Sequence, residues 1–158
     1  FLWAQMEAAQ DITERRLALW RRYDSALSVK NPLLRTPTVP AGCEHNAHIY
    51  YVIPSEPINR NAVLIELKRQ GIQGVFHYVP LHSSQFGQQK GRTPTGKLPI
   101  TDYVTSRLIR LPIWVGLKEL EQDRIIHALE NVLGVMQSDS HSAWQDLTQS
   151  QLSIQYAQ

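Results

Sequence analysis

The chain has 158 residues, 42% of them hydrophobic and 19% charged, with a formal net charge of +2. This is the make-up of one globular domain large enough to bury a core. No apolar run approaches the ~20 residues of a membrane-spanning helix, and the single cysteine, Cys43, allows no internal disulfide.

Residues 2–28 read as one long amphipathic helix, with Leu2, Met6, Ala9, Ile12, Leu19, Trp20, Tyr23 and Leu27 near one face and Arg16 interrupting it. The cluster Arg15, Arg16, Arg21 and Arg22 follows Glu7, Asp11 and Glu14, the order of charge that suits a helix dipole. No stacking aromatic motif accompanies the arginines, so a solvated helix face is expected there and nucleic-acid binding is not. Asn31-Pro32 ends the helix, and Pro37, Pro40 and Gly42 make an extended connector with a turn. The β-branched and aromatic residues 46–53 form a strand. Asn59 caps a helix running to Gln70, Ile58 staples onto Val63, and Gly71 supplies the stop. Residues 72–79 form a second strand with a bulge at Gly74, and residues 83–99 an exposed, mobile loop. Thr101 caps a short helix to Ser106, residues 108–113 make a third strand, and a last helix from Lys118 buries Ile125, Ile126, Leu129, Val132, Leu133 and Met136. Beyond Met136 the composition turns to Ser and Gln. Residues 1–136 are therefore expected to form the domain. Residues 137–158 are read as an appendage, either disordered or folding against a partner through Trp144, Leu147 and Leu152. Strands separated by helices suggest a small sheet covered by helices on one face, an α+β fold or open α/β sandwich.

The chemistry-bearing stretch is Val75-Phe76-His77-Tyr78-Val79-Pro80-Leu81-His82-Ser83-Ser84. An apolar strand delivers His77 and Tyr78 to its end, Pro80 stops it, and His82 follows, which is where α/β folds place substrate contacts. His77, Tyr78 and His82 together read as ligand-facing; a lone strand histidine would read as a hydrogen-bonded core or edge residue. A metal site would need His45 or His48 as well, yet residues three apart on a strand point to opposite faces, so no metal is expected. Ser83 and Ser84 lie beside His82 without a readable orienting acid. Gly91 to Lys97 carries glycine and lysine but places Pro94 where a phosphate loop needs a backbone donor. His127 reads as semi-buried on the last helix. An exposed set of Trp3, Leu17 and Trp20 on the first helix would favour association. No leader is visible, so a cytoplasmic location is expected. Because Phe1 opens the chain inside a helix, a trimmed or excised piece is expected as well.

Several words in fixed order carry a resemblance over residues 1 to about 135. They are Phe1-Leu2-Trp3-Ala4-Gln5-Met6-Glu7, Cys43-Glu44-His45-Asn46-Ala47-His48-Ile49-Tyr50-Tyr51-Val52, Phe76-His77-Tyr78-Val79-Pro80-Leu81-His82, Leu98-Pro99-Ile100-Thr101, and Arg107-Leu108-Ile109-Arg110-Leu111-Pro112-Ile113. In these the chain resembles the C-terminal part of the DegT/DnrJ/EryC1/StrS sugar aminotransferases, which use pyridoxal phosphate (PLP). Within the family it is most similar to the dTDP-4-amino-4,6-dideoxygalactose transaminase group. The resemblance implies a small, mostly antiparallel sheet of about three strands covered by helices, like the small C-terminal domain of fold-type-I PLP aminotransferases, with a long N-terminal helix. It implies that the PLP lysine, and the acid facing the pyridine nitrogen, belong to a large N-terminal domain. Lys30, Lys68, Lys90, Lys97 and Lys118 do not stand in the family's lysine context. The chain alone is thus expected to hold no PLP and not to transaminate. By the same resemblance His77, Tyr78 and His82, and more weakly His48, face the sugar-nucleotide pocket, with hydrogen bonding to sugar hydroxyls as their work. Gln85 departs from the proline that relatives commonly carry. The expected partners are a PLP-binding large domain, a sugar nucleotide, or a second copy in a homodimer. The alternative is a stand-alone binding or oligomerisation module that reuses the domain.

Overall fold

A computed structural model describes residues 2–28, 31–93 and 97–155, with residues 4 and 139–155 described by backbone alone. The first helix is not continuous. α1 spans Leu2–Met6 and α2 spans Ala9–Leu27, with a turn between them closed by the Ala8 N–H on the Gln5 carbonyl at 3.2 Å. The apolar stripe explains the break. Leu2, Trp3 and Met6 find no core to pack on (Trp3 is 78% exposed), whereas Trp20, Tyr23 and Leu27 are buried. Trp20, expected at an association surface, is only 7% exposed, with its ring 4.5 Å from that of His45 and 5.3 Å from that of Tyr50.

Among the described residues the sheet is antiparallel throughout and has four strands, one more than expected. β1 (Leu34–Arg35), β2 (Tyr50–Pro54), β3 (Val75–Phe76) and β4 (Ile109–Leu111) lie in the order β1-β2-β4-β3. β1 was hidden in the proline connector. Its two residues pair with Pro54 and Ile53. The second strand starts at Tyr50 rather than residue 46. Ala47 sits at a φ of 50°, and the Asn46 side chain turns the chain by accepting from the His48 backbone N–H at 3.3 Å. The third strand is likewise short, since only Val75 and Phe76 find partners, on Arg110 and Ile109.

Tyr50, Val52, Ile109 and Leu111 share the face that meets the helices. They join Val63 and Leu67 of α3 (Arg60–Arg69) and Leu129 and Leu133 of α6 (Glu119–Gln155) in one core. α3 is bounded as its sequence expects. The Asn59 side chain accepts from the N–H groups of Asn61 and Ala62, and Ile58 and Val63 are both buried. At the far end Gly71 adopts φ 76°, with Gly71 N–H on the Lys68 carbonyl and Ile72 N–H on the Leu67 carbonyl, the paired bonds of a Schellman stop. α6 begins with the Lys118 N–H donating to Glu121 Oε2 at 3.0 Å. It is pinned to α2 by buried Gln122, whose side chain donates to the Leu19 carbonyl at 2.7 Å, and by the Arg22–Asp123 pair at 2.6 Å. Its backbone stays helical to Gln155, past the composition change at 136. The side chains of Trp144, Leu147 and Leu152, and residues 156–158, lie outside the described residues. No helix among the described residues is long and apolar enough to cross a membrane.

Candidate functional site

Past β3 the chain leaves the sheet and forms a compact corner. Pro80 precedes a 3-10 turn (Leu81–Ser83), which leads into α4 (Gln85–Lys90), and α5 follows over Pro99–Arg107. The expected mobile loop is therefore helical over residues 85–90. The cap on Ser84 explains it: the Ser84 hydroxyl accepts from the Gly87 N–H at 3.0 Å. A side chain on Gly87 would collide with the Leu81 carbonyl, so the corner closes only around glycine there. α5 opens on Pro99 rather than at Thr101, since proline's missing N–H is no loss in a first helical turn. Pro94, Thr95 and Gly96 of the glycine-containing loop lie outside the described residues.

The corner arranges the strand-end residues. His77 is half-buried, and its Nδ1 is shut off from solvent without a hydrogen-bond partner. Tyr78 is 74% exposed, with its ring 4.8 Å from that of His77. The His82 side chain is only 15% exposed, and its Nε2 lies 2.8 Å from Asp102 Oδ1 on α5. A carboxylate oxygen accepts, so the Nε2–H donates, which leaves Nδ1 of neutral His82 as an acceptor. Asp102 is the orienting acid that the sequence did not disclose, twenty residues from its histidine. It does not complete a serine triad. The Ser83 and Ser84 hydroxyls donate to the Pro80 and Leu81 carbonyls, at 3.1 and 2.8 Å.

Two grooves meet at this pair. His82 lines one of about 670 Å³ with Gln88, Arg92 and Thr101. Tyr78 and Asp102 line another of about 320 Å³ with Phe76, Thr105 and Arg60. The Arg60 guanidinium lies 5.6 Å from the Phe76 ring centre and donates to the Thr105 carbonyl at 2.7 Å. His48 stands elsewhere, in a third groove of about 500 Å³ with Arg110, Trp114, Glu121 and Arg124. Its Nδ1–H donates to Asn46 Oδ1 at 2.8 Å. The four sequence candidates thus divide between the corner and the opposite end of β4. Among the described residues no three His, Cys, Asp or Glu side chains converge as a metal-binding group. His127 is exposed, beside Glu130 at 3.6 Å, rather than semi-buried.

In the core beside the Leu111 end of β4, burial pushes the hydroxyls of Tyr23 and Tyr50 far above the ordinary phenol range, and the Asp24 carboxylate adds to the effect on Tyr50. Tyr23 donates to the Pro112 carbonyl at 2.8 Å and stacks on Tyr50 at 5.1 Å. Both rings hold structure rather than exchange protons.

Comparison with known proteins gives a consistent picture. A model of the DegT/DnrJ/EryC1/StrS aminotransferase family matches residues 1–130. The uncharacterized protein MJ1066 of Methanocaldococcus jannaschii is 26% identical over 132 residues, which are 82% of this chain and 34% of that protein. The crystal structure of a DegT DnrJ EryC1 StrS aminotransferase from Brucella abortus superposes with a TM-score of 0.73 at 29% identity, over 84% of this chain and 34% of that one. The aminotransferase TlmJ from Streptoalloteichus hindustanus gives 0.75 at 25% identity, over 85% and 35%. The chain thus spans about a third of the length of the relatives it matches.

Proposed function

Because the chain belongs to the DegT/DnrJ/EryC1/StrS aminotransferase family, we propose that residues 1–136 are the small domain of a PLP-dependent aminotransferase acting on a sugar nucleotide of the dTDP-4-keto-6-deoxyhexose class. The observation that carries this reading is the family match over residues 1–130, set against the third of each relative that the match spans. PLP chemistry needs a lysine amine to hold the coenzyme's aldehyde and release it to the incoming amine. Lys68, Lys90, Lys97 and Lys118 are all exposed, and none lines a groove named above. Lys30 lies outside the described residues. The described lysines do not fit the coenzyme's attachment site, so the small domain depends on a separate cofactor-bearing domain for turnover.

Its own contribution is to the substrate. His82, held by Asp102, offers Nδ1 to a sugar hydroxyl. Tyr78 offers a phenol at the groove edge, and the half-buried His77 ring packs beside it, with its own Nδ1 turned away from solvent. His48 serves more remotely. The reading carries with it the expected cytoplasmic location, where a lone exposed thiol such as Cys43 stays reduced. The test is an assay of the purified chain with PLP, glutamate and a dTDP-4-keto-6-deoxyhexose. No amino sugar is expected, and its formation would contradict the proposal.

A second reading rests on α6, whose backbone continues to Gln155, well beyond the family match. Residues 137–158 are then an added segment through which two copies associate, and the domain serves as a binding or oligomerisation module. Sedimentation of the chain, with and without residues 137–158, separates the readings. A dimer lost on truncation favours the module, and a monomer in both cases removes it.

A further inference from the structure

The groove at the far end of β4 has features that the substrate-side reading leaves unused. Arg110 lies on the opposite face of β4 from buried Ile109 and Leu111, beside Val75 on the edge strand. Its Nε is shut off from solvent and has no hydrogen-bond partner. Of the three other arginines with a buried, unpartnered Nε, Arg22 and Arg107 keep their charge on Asp123 and Glu56, each at 2.6 Å, while Arg16 of α2, like Arg110, has no carboxylate partner among the described residues but lines none of the grooves described. Arg110 makes no hydrogen bond or ion pair among the described residues, and it lines the groove of about 500 Å³.

A second cation is fixed nearby. Arg124 donates to the Gln70 carbonyl, and a side chain on Gly71 would lie 3.4 Å from its Nη2, so this turn leaves room for the guanidinium. Glu121 is the one acid in the lining. Its Oε2 already accepts the Lys118 N–H, so the groove keeps an excess of one positive charge. Trp114, half-exposed, and Leu117 supply an apolar wall. The volume falls within the roughly 300–1,000 Å³ typical of small-molecule sites. A guanidinium presents parallel N–H groups that match two oxygens of one oxyanion, and the Nη groups of half-buried Arg110, unpaired among the described residues, favour a ligand that supplies an acceptor.

We infer that this groove binds a phosphate-bearing small molecule, its oxyanion on Arg110 with Arg124 in support and its organic part against Trp114. The inference rests on the unpartnered arginine and not on the aminotransferase reading, with which the groove shares only His48.

The test is an NMR titration of the purified chain with inorganic pyrophosphate and, in parallel, ADP. Both are expected to give saturable shifts at the Arg110 Nε–H and in the turn at residues 71–73. ADP should bind more tightly and move the Trp114 indole further. Arg110→Gln should weaken both at least tenfold and Arg124→Gln about threefold, while Arg107→Gln leaves them unchanged. Shifts outside the groove, no saturation at millimolar concentration, or unaltered binding by folded Arg110→Gln would overturn the site. Equal affinity for the two probes would overturn the role given to Trp114. Should Arg110→Gln fail to fold, Arg110→Lys, which keeps the charge but loses the fork, is expected to bind several-fold less tightly. Full affinity there would also overturn it.

Discussion

At the scale of residues, the candidate site turns on pairs rather than single side chains. His77, Tyr78 and His82 stand out in the sequence because one short word carries them past a proline. Asp102 does not, because a contact across twenty residues leaves no local trace; only the folding of α5 back over the corner makes it. Asp102→Ala should reduce the Nε2–H form of His82, read from the ring nitrogen shifts, while lowering stability by no more than ~1 kcal/mol, since Asp102 is 53% exposed. An unchanged tautomer would show that Asp102 does not position the ring. Tyr23 and Tyr50 set the alkaline limit. In the unfolded chain each loses its proton near pH ~10, but the folded chain holds it to higher pH. The native state therefore binds more protons above pH ~10, and stability falls as pH rises through that range. Urea unfolding between pH 8 and 11 should show a midpoint that is flat at first and then declines, with a shallower decline in Tyr23→Phe.

At the scale of elements, the caps of α3 were readable, while the Ser84 cap, the start of α5 and the strand lengths were not. Asn59, Ile58 and Gly71 bound α3 through contacts within a few residues, which a sequence displays directly. Strand length depends on the partner: residues 72–79 look extended throughout, yet β4 offers only Arg110 and Ile109 to pair with. The break between α1 and α2 has the same origin, since a stripe is buried only where a core exists to meet it. Asn59→Ala should cost about 1 kcal/mol by removing the acceptor for two helix N–H groups. Gly71→Ala should cost a similar ~1 kcal/mol through its left-handed backbone. Chemical denaturation measures both, and a neutral Asn59→Ala would show that water replaces the cap.

At the scale of the molecule, the alternation of strands and helices was enough to reach an α+β layer, and the final helix's three-and-four spacing marked its buried side correctly. Leu129 and Leu133, both fully buried, hold α6 to the sheet. Leu129→Ala should cost roughly 2–5 kcal/mol, as cavities in packed cores do. The two-residue β1 and the turn at Ala47 escaped notice because tertiary pairing, rather than propensity, defines them. Reductive trapping decides whether the chain can hold PLP by itself: the purified chain is mixed with PLP, treated with borohydride, and digested for mass spectrometry. No stoichiometric phosphopyridoxyl adduct is expected on any one lysine. A single, saturable adduct on one lysine, blocked by substrate amine, would contradict the dependence on a separate cofactor-bearing domain.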